Sequence, residues 1–301
     1  MSTDSGRLLI VSPVYNEAAN LERTARALAA QTRVPDRWVV VDDGSSDATL
    51  MLARRLEREL EFMTVIEAGG APSGPDNLAL AREAHAFNVG LRFAGWEGYE
   101  YVGKLDGDVE LPREWFATLT ARLAAGPTLG LTAGRLAECS PRGWRVLAIP
   151  SYHVHGAVKL FRRDCLRAIG GVAEQLAWDT IDETYARMRG FETRSYPDLV
   201  ARHHRPWGSA DGRLRGCARH GECAWILHYS FPWVLLRSLK VAAARPWGVS
   251  GVAFLFGYLR SAVRGVPRVP DPGFRRFVRG ELRARMRAPL RLGATSTQPA
   301  G

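Results

Sequence analysis

At 301 residues, 46% of them hydrophobic and 9% aromatic, the chain can build one large α/β domain plus an appendage, and its composition excludes a disordered or collagen-like protein. Four cysteines (Cys139, Cys165, Cys217, Cys223) are too few for a disulfide scaffold. The formal net charge of +10 admits nucleic acid, an anionic membrane or a phosphorylated small molecule as partner, so the placement of the charge has to decide.

The first residues lack the basic-then-apolar pattern of a secretory leader, and a cytoplasmic location is expected. Leu8 to Val11 is an apolar, β-branched run ended by Ser12-Pro13, the mark of a buried strand meeting a loop. Leu21, Ala25, Leu28 and Ala29 then recur at helical spacing. Trp38 to Val41 repeats the strand, and the turn Asp42 to Asp47 can cap a helix bearing Leu50, Ala53, Leu56 and Leu60. Phe62 to Ile66 predicts a third strand, Gly69 to Pro75 a loop, and Ala79 to Phe93 a helix.

Tyr99 to Leu105 supplies a fourth strand, with Asp106-Gly107-Asp108 at its carboxyl end. Further strands are predicted at Leu129 to Ala133 and Ala157 to Phe161, and a helix at Asp179 to Arg189. The alternation predicts an α/β fold with a Rossmann-like, mainly parallel sheet flanked by helices, whose ligands gather outside the carboxyl ends of the strands.

The last quarter changes character. Trp225 to Leu259 is rich in Trp, Phe, Leu and Val but interrupted by His228, Arg237, Lys240 and Arg245, and an arginine-rich tail follows. Its longest uncharged piece, Pro246 to Leu259, is shorter than the roughly 20 residues of a spanning helix. Helices lying in the interface of an anionic membrane fit this pattern; a buried helical extension with a solvated basic tail is the other reading. The domains expected are therefore residues 1–225 and an apolar and basic helical extension over residues 226–301. Cys217, His220, Cys223 and His228 have spacings that structural zinc could use, but a polar loop holding Cys and His is the simpler reading.

Two carboxylates flanking one small residue at a strand end can hold a hard divalent cation, magnesium or manganese, which would neutralise a diphosphate. Asp42 and Asp43 end a neighbouring strand, where a carboxylate can accept from a base N–H or a ribose hydroxyl, or can simply cap the following helix.

With these clusters in order along the chain, Ser12 to Glu17, Val41 to Asp47, Ala86 to Gly90 and Lys104 to Asp108 resemble the motif series of the family 2 glycosyltransferases, and the resemblance runs on through Gly156 to Arg163, Gly170-Gly171 and Trp178 to Glu183 to about Pro206. It implies a GT-A fold, a nucleotide-diphosphate sugar donor, a divalent metal and inversion at the anomeric carbon. It places Pro13, Val14, Tyr15, Glu17, Asp42, Asp43 and Asn88 along the nucleotide-sugar pocket, with Lys104, Asp106, Gly107 and Asp108 serving ribose, diphosphate and metal. Phe87 departs from the family, which often has arginine there. Metal ligands are expected at Asp106, Asp108 and His204, with His203 and Arg205 as further phosphate or metal contacts, although both histidines could equally be packing residues.

Aligning the family's acidic motif through Gly190-Phe191 makes Asp179 the expected base, with Asp182 as the alternative and Asp182-Glu183 facing the same cavity one turn on. Trp178 and Tyr152 could stack on sugars or fill the core. The expected acceptor is a glycan, a lipid-linked sugar or a small hydrophobic molecule, with no nucleic acid as partner and with the chain peripheral at the inner membrane face. A sugar-phosphate nucleotidyltransferase would want a basic, glycine-rich loop after the first strand, where this chain has Pro13 to Glu17; a non-catalytic protein that binds nucleotide or anionic membrane is the remaining alternative.

Overall fold

In the computed structural model, residues 6–69, 76, 79–140, 143–205, 212–243 and 247–287 are described, and all statements below concern these. Most of the loop expected at Gly69 to Pro75, Arg245 and Pro246, Pro206 and the chain end beyond residue 287 lie outside them.

The chain divides into two units, residues 1–210 and 211–301. The first begins with β1 (Leu8–Val14), α1 (Leu21–Ala29), β2 (Arg37–Asp42), α2 (Thr49–Glu59), β3 (Met63–Glu67), α3 (Arg82–Ala94) and β4 (Tyr101–Lys104). It continues with β5 (Val109–Glu110), α4 (Trp115–Ala125), β6 (Leu129–Ser140), β7 (Gly143–Val146), β8 (Leu160–Arg162), α5 (Arg163–Ile169), α6 (Trp178–Met188) and β9 (Glu192–His203).

One sheet has the order β3-β2-β1-β4-β8-β6-β9-β5, with β7 paired to β6. The expected parallel sheet is its first half: β3, β2, β1 and β4 are parallel. From β8 onward it is mixed, since β8 runs antiparallel to both neighbours while β6 and β9 are parallel. The order reverses between β1 and β4, because the chain winds outward to β3 and α3 then carries it back. Such a switch point opens a crevice at the strand ends, where ligands of α/β sheets bind.

The parallel half is apolar because both faces are covered: Leu8 to Val11, Val39 to Val41 and Val102 are all but inaccessible. Trp38 joins them, its indole N–H donating to Ser12 Oγ at 2.8 Å. The crossing of α3 is close. A Cβ on Gly90 would stand 2.5 Å from Val11 Cγ1 and 2.8 Å from Val41 Cγ2, which explains a glycine inside a helix.

The second unit contains α7 (Arg213–Ile226), α8 (Phe231–Ala242), α9 (Val249–Val263) and α10 (Pro272–Arg287), with a small core of Ala224, Val234, Phe254 and Tyr258. The division falls at residue 210, before the boundary expected at 225, and groups α7 with the helices after it. No helix among the described residues is long and apolar enough to cross a membrane.

Candidate active site

The loops after β1 and β4 meet at the switch point. On α1, Thr24 Oγ1 lies 2.8 Å from the Gly107 carbonyl and 3.0 Å from that of Val109, fixing the Asp106 to Asp108 turn from below. A Cβ on Gly107 would stand 2.9 Å from Val14 Cγ1 and 3.2 Å from Glu17 Cγ, so this glycine lets the β1 loop sit directly on the turn. The β1 loop is itself anchored: Glu17 N–H donates to Thr49 Oγ1 at 2.7 Å and Asn16 N–H to Ser45 Oγ at 3.0 Å.

Asp106, Asp108 and His203 each offer a ligand atom within 4.8 Å of the others. Asp108 is buried and its Oδ1 has no well-formed hydrogen bond, although His203 Nε2 stands 3.3 Å away. Two hard carboxylates and an imidazole around a buried carboxylate oxygen without a donor suit Mn2+ or Mg2+. Burial works against charging His203, but Asp108 outweighs it and raises the imidazole above its usual range.

His203, not His204, is the histidine that joins the two carboxylates, because successive residues of an extended chain point to opposite sides. His204 pairs with Glu110, Nε2 to Oε2 at 2.9 Å, and meets Trp144 edge-on with centroids 5.1 Å apart. Arg205 closes this side, bonding Glu17 and the Asn16 carbonyl and lying 3.7 Å from Asp108. Burial, then the charge of Asp108, push the Glu17 carboxyl up to about 7.

At the β2 end the two aspartates differ. Arg82, from the start of α3, forks onto Asp43 with contacts of 2.9 and 3.0 Å. Asp42 Oδ2 accepts the N–H groups of Gly44 (3.2 Å) and Ser45 (3.1 Å), but its buried Oδ1 has no partner. Tyr15 stands exposed beside them with the Arg82 guanidinium 5.7 Å from its ring centroid. Asp42 thus closes the turn and keeps a free acceptor but does not cap α2, whose Thr49 N–H goes to Asp47 at 2.9 Å.

Lys104 departs from expectation. Its ammonium is fully buried between Asp106 and Glu83 and lies 5.1 Å from the Trp178 ring, so it is not a free cation for phosphate. Burial opposes its charge, but Asp106 and Glu83 hold its pKa above the usual lysine range. Phe87 is core, and Asn88 ties down the loop after α5 through the Val172 carbonyl (2.8 Å) and Glu174 (2.9 Å).

Trp178 starts α6 and is mostly buried, with Lys159 5.4 Å from its ring on one side and Lys104 on another. Asp179 follows in the first turn, half-buried, its backbone carbonyl accepting from Lys159 Nζ at 2.5 Å. Asp182 and Glu183 do not share its cavity: both are buried inside the fold. Asp182 pairs with Lys159 at 2.5 Å, while Glu183 accepts the Val154 N–H at 2.8 Å and faces His153. Burial pushes the Asp182 carboxyl up to about 7 against the pull of Lys159.

Glu83, Arg82 and Lys159 are parts of the site that the sequence reading did not single out. Lys159 carried a signal, a lone charge at the start of an apolar strand; Glu83 carried none. Among the described residues, Cys217, His220, Cys223 and His228 form no metal-capable group, and His228 Nε2 is instead 2.8 Å from the Val269 carbonyl.

The Asp106, Asp108 and His203 cluster has an acidic strand end beside it, while Lys104 pairs with Asp106 and Glu83 and Lys159 holds the carbonyl of half-buried Asp179. Residues 9–166 match the family described as Glycosyl transferase family 2, just over half of the chain. The chain belongs to this family. It is a glycosyltransferase, and the expected sugar-transfer chemistry and α/β architecture stand. Among solved structures it is similar to the mannosyltransferase PcManGT from Pyrobaculum calidifontis in complex with GDP-Man and Mn2+ (TM-score 0.63, 20% identity, 86% of this chain and 88% of that one). It is also similar to S. aureus TarS 1–349 in complex with UDP-GlcNAc (TM-score 0.54, 16% identity, 84% and 71%) and to GalNAc-T7 with UDP, GalNAc and Mn2+ (TM-score 0.60, 13% identity, 94% and 58%). At these identities the likeness is one of fold. A comparison with curated proteins finds no match.

Proposed function

We propose that this family 2 glycosyltransferase moves a sugar, with inversion, from a nucleotide-diphosphate donor to an acceptor hydroxyl, with Asp179 as general base. The observation that carries the reading is the contrast along α6: Asp182 and Glu183 are spent on buried ion pairs, whereas Asp179 stays half-open at the helix start.

Asp42 Oδ1, buried and without a donor, would accept from the nucleoside, since Asp43 is occupied by Arg82. Tyr15 offers the base a flat face, with Pro13 and Val14 behind it. Asp106, Asp108 and His203 would hold the divalent cation, which when bound supplies Lewis-acid neutralisation of the diphosphate. Arg205, partly exposed beside Asp108, adds a fixed positive charge to the same rim. Asp179 takes the proton from the acceptor oxygen as it attacks the anomeric carbon. The hydrogen bond from Lys159 Nζ to the Asp179 backbone carbonyl holds the base in place.

The acceptor is proposed to be a glycan, a lipid-linked sugar or another hydrophobic molecule in polysaccharide or glycolipid synthesis, met by a chain bound peripherally to the inner face of an anionic membrane. The late, one-signed charge supports this over nucleic acid, because the donor rim itself is acidic.

A panel of nucleotide sugars assayed with Mn2+ for nucleoside diphosphate release tests the reading. One donor class should support release, a chelator should abolish it, and added Mn2+ should restore it. Release that is indifferent to chelation, or no release from any donor, would overturn it.

A further inference from the structure

The helices of the second unit are built the opposite way from those of the first. The buried face of α9 carries Ser250, Gly251, Gly257 and Ser261 beside Phe254 and Tyr258. Its backbone touches that of α7: a Cβ on Gly257 would stand 1.8 Å from the Ala218 carbonyl oxygen, and one on Gly221 1.9 Å from that of Phe254. Besides Phe254 and Tyr258, α9 has large apolar side chains that point outward. Val252, Phe256, Leu259 and Val263 recur at i, i+4, i+7 and i+11 and are 68, 57, 44 and 90% exposed. Leu235, Leu236 and Leu239 make a matching exposed face on α8.

In water such a surface is unfavourable, and soluble chains seldom leave a contiguous one uncovered. Small residues at helix contacts with large apolar ones outside is the arrangement expected where the surrounding medium is hydrocarbon. The charge on these helices has one sign. No Asp or Glu occurs between Glu222 and Asp271, while Arg237 and Lys240 lie on α8, Arg260 lies on α9 at 3.5 Å from Glu222, and Arg264 follows the helix end. Long cationic side chains can lie along an apolar surface and reach phosphate headgroups.

With 12 and 15 residues, α8 and α9 are about 18 and 22 Å long at 1.5 Å per residue, short of the hydrocarbon core of a bilayer. We propose that α8 and α9 lie within one leaflet of an anionic bilayer, their outer faces among the acyl chains and their cations at the headgroups. This deepens the membrane binding proposed above by naming its surface, and it does not depend on the donor chemistry.

Sedimentation of the full-length chain with phosphatidylcholine vesicles, with and without phosphatidylglycerol, tests it. The protein should pellet with the anionic vesicles and stay bound in high salt, which screens headgroup charge but not apolar burial. Combining Val252→Ser, Phe256→Ser and Leu259→Ser should lower the partition coefficient by about tenfold or more. Arg260→Gln with Arg264→Gln should lower the preference for anionic vesicles severalfold. Nucleoside diphosphate release should be unchanged in both, so failure of this proposal and failure of sugar transfer are read separately. Far-UV circular dichroism checks the fold, and Phe256→Ser alone replaces the triple change should helicity drop.

Three results would overturn the proposal. One is a serine variant that binds like the parent; another is complete release by salt. The third is no vesicle binding together with a dimer that the serine changes dissolve, which would give the face to a second copy of the chain.

Discussion

Residues 1–210 hold 25 Lys and Arg against 27 Asp and Glu, whereas residues 211–301 hold 16 against 4. The net charge that dominates the composition is therefore a property of the second unit. The first is close to neutral, with a locally acidic rim. Packing differs in the same sense: the large apolar residues of β1 to β4 turn inward, whereas α8 and α9 bury Val234, Phe254 and Tyr258 but leave others, from Leu235 to Val263, exposed. The two units thus differ in charge and in exposed apolar surface, and whole-chain averages describe neither.

Four perturbations would break or sharpen this contrast. The largest effect is expected for Asp179→Asn, which removes the proposed general base and should cut kcat by roughly two to four orders of magnitude while vesicle binding is unchanged. Near-normal turnover would refute the assignment. Asp182→Asn should act on the fold, because it takes the nearer carboxylate from the buried Lys159 ammonium and leaves Glu183 at 3.7 Å, at roughly 3 kcal/mol or less in urea unfolding.

Adding a methyl group compares the packing of the two units. Gly257→Ala meets a backbone carbonyl and must displace α9 from α7, whereas Gly90→Ala meets valine side chains and should cost about 1–3 kcal/mol. The glycine of the second unit should be the more damaging, as judged by helicity and thermal midpoint. Equal effects would argue against close backbone packing of α7 on α9.

The smallest effect concerns acid. Burial, with help from neighbouring His153, lowers the His155 imidazole from 6.5 to about 4. Folding favours its neutral form, so the contribution is intact above pH 6.5 and lost as pH falls toward 4, where the unfolded chain binds the extra proton. His155→Gln should flatten that limb of the stability profile. An unchanged slope in urea midpoints across the interval would remove His155 as its cause.

The parallel strands and the acidic rim were legible in the sequence because a strand covered on both faces must be an apolar run, and because polar clusters at its end stand out against it. Strand β9 was not legible. Its inward positions include Thr193 and Ser195, so its alternation is not one of hydrophobicity, and the irregular register near Gly134 and Arg135 breaks it further. With β9 unseen, the facing of His203 and His204 could not be told apart. The pair Asp179 and Asp182 was legible as two acids on one helix, but which one faced inward depended on Lys159, twenty residues away in sequence. Lys104 read as a free cation because Glu83, its second partner, belongs to a helix that begins beyond a long connection.

The backbone contacts through Gly221 and Gly257 also bear on where this chain can be shortened. A chain ended at Trp225, at the boundary suggested by composition, would keep α7 but strip it of α9, leaving Ala218 and Gly221 facing solvent across a groove shaped for another helix. Trimming to before Arg213 removes the whole interlocked set together, and is the cut that respects how the polypeptide is knitted.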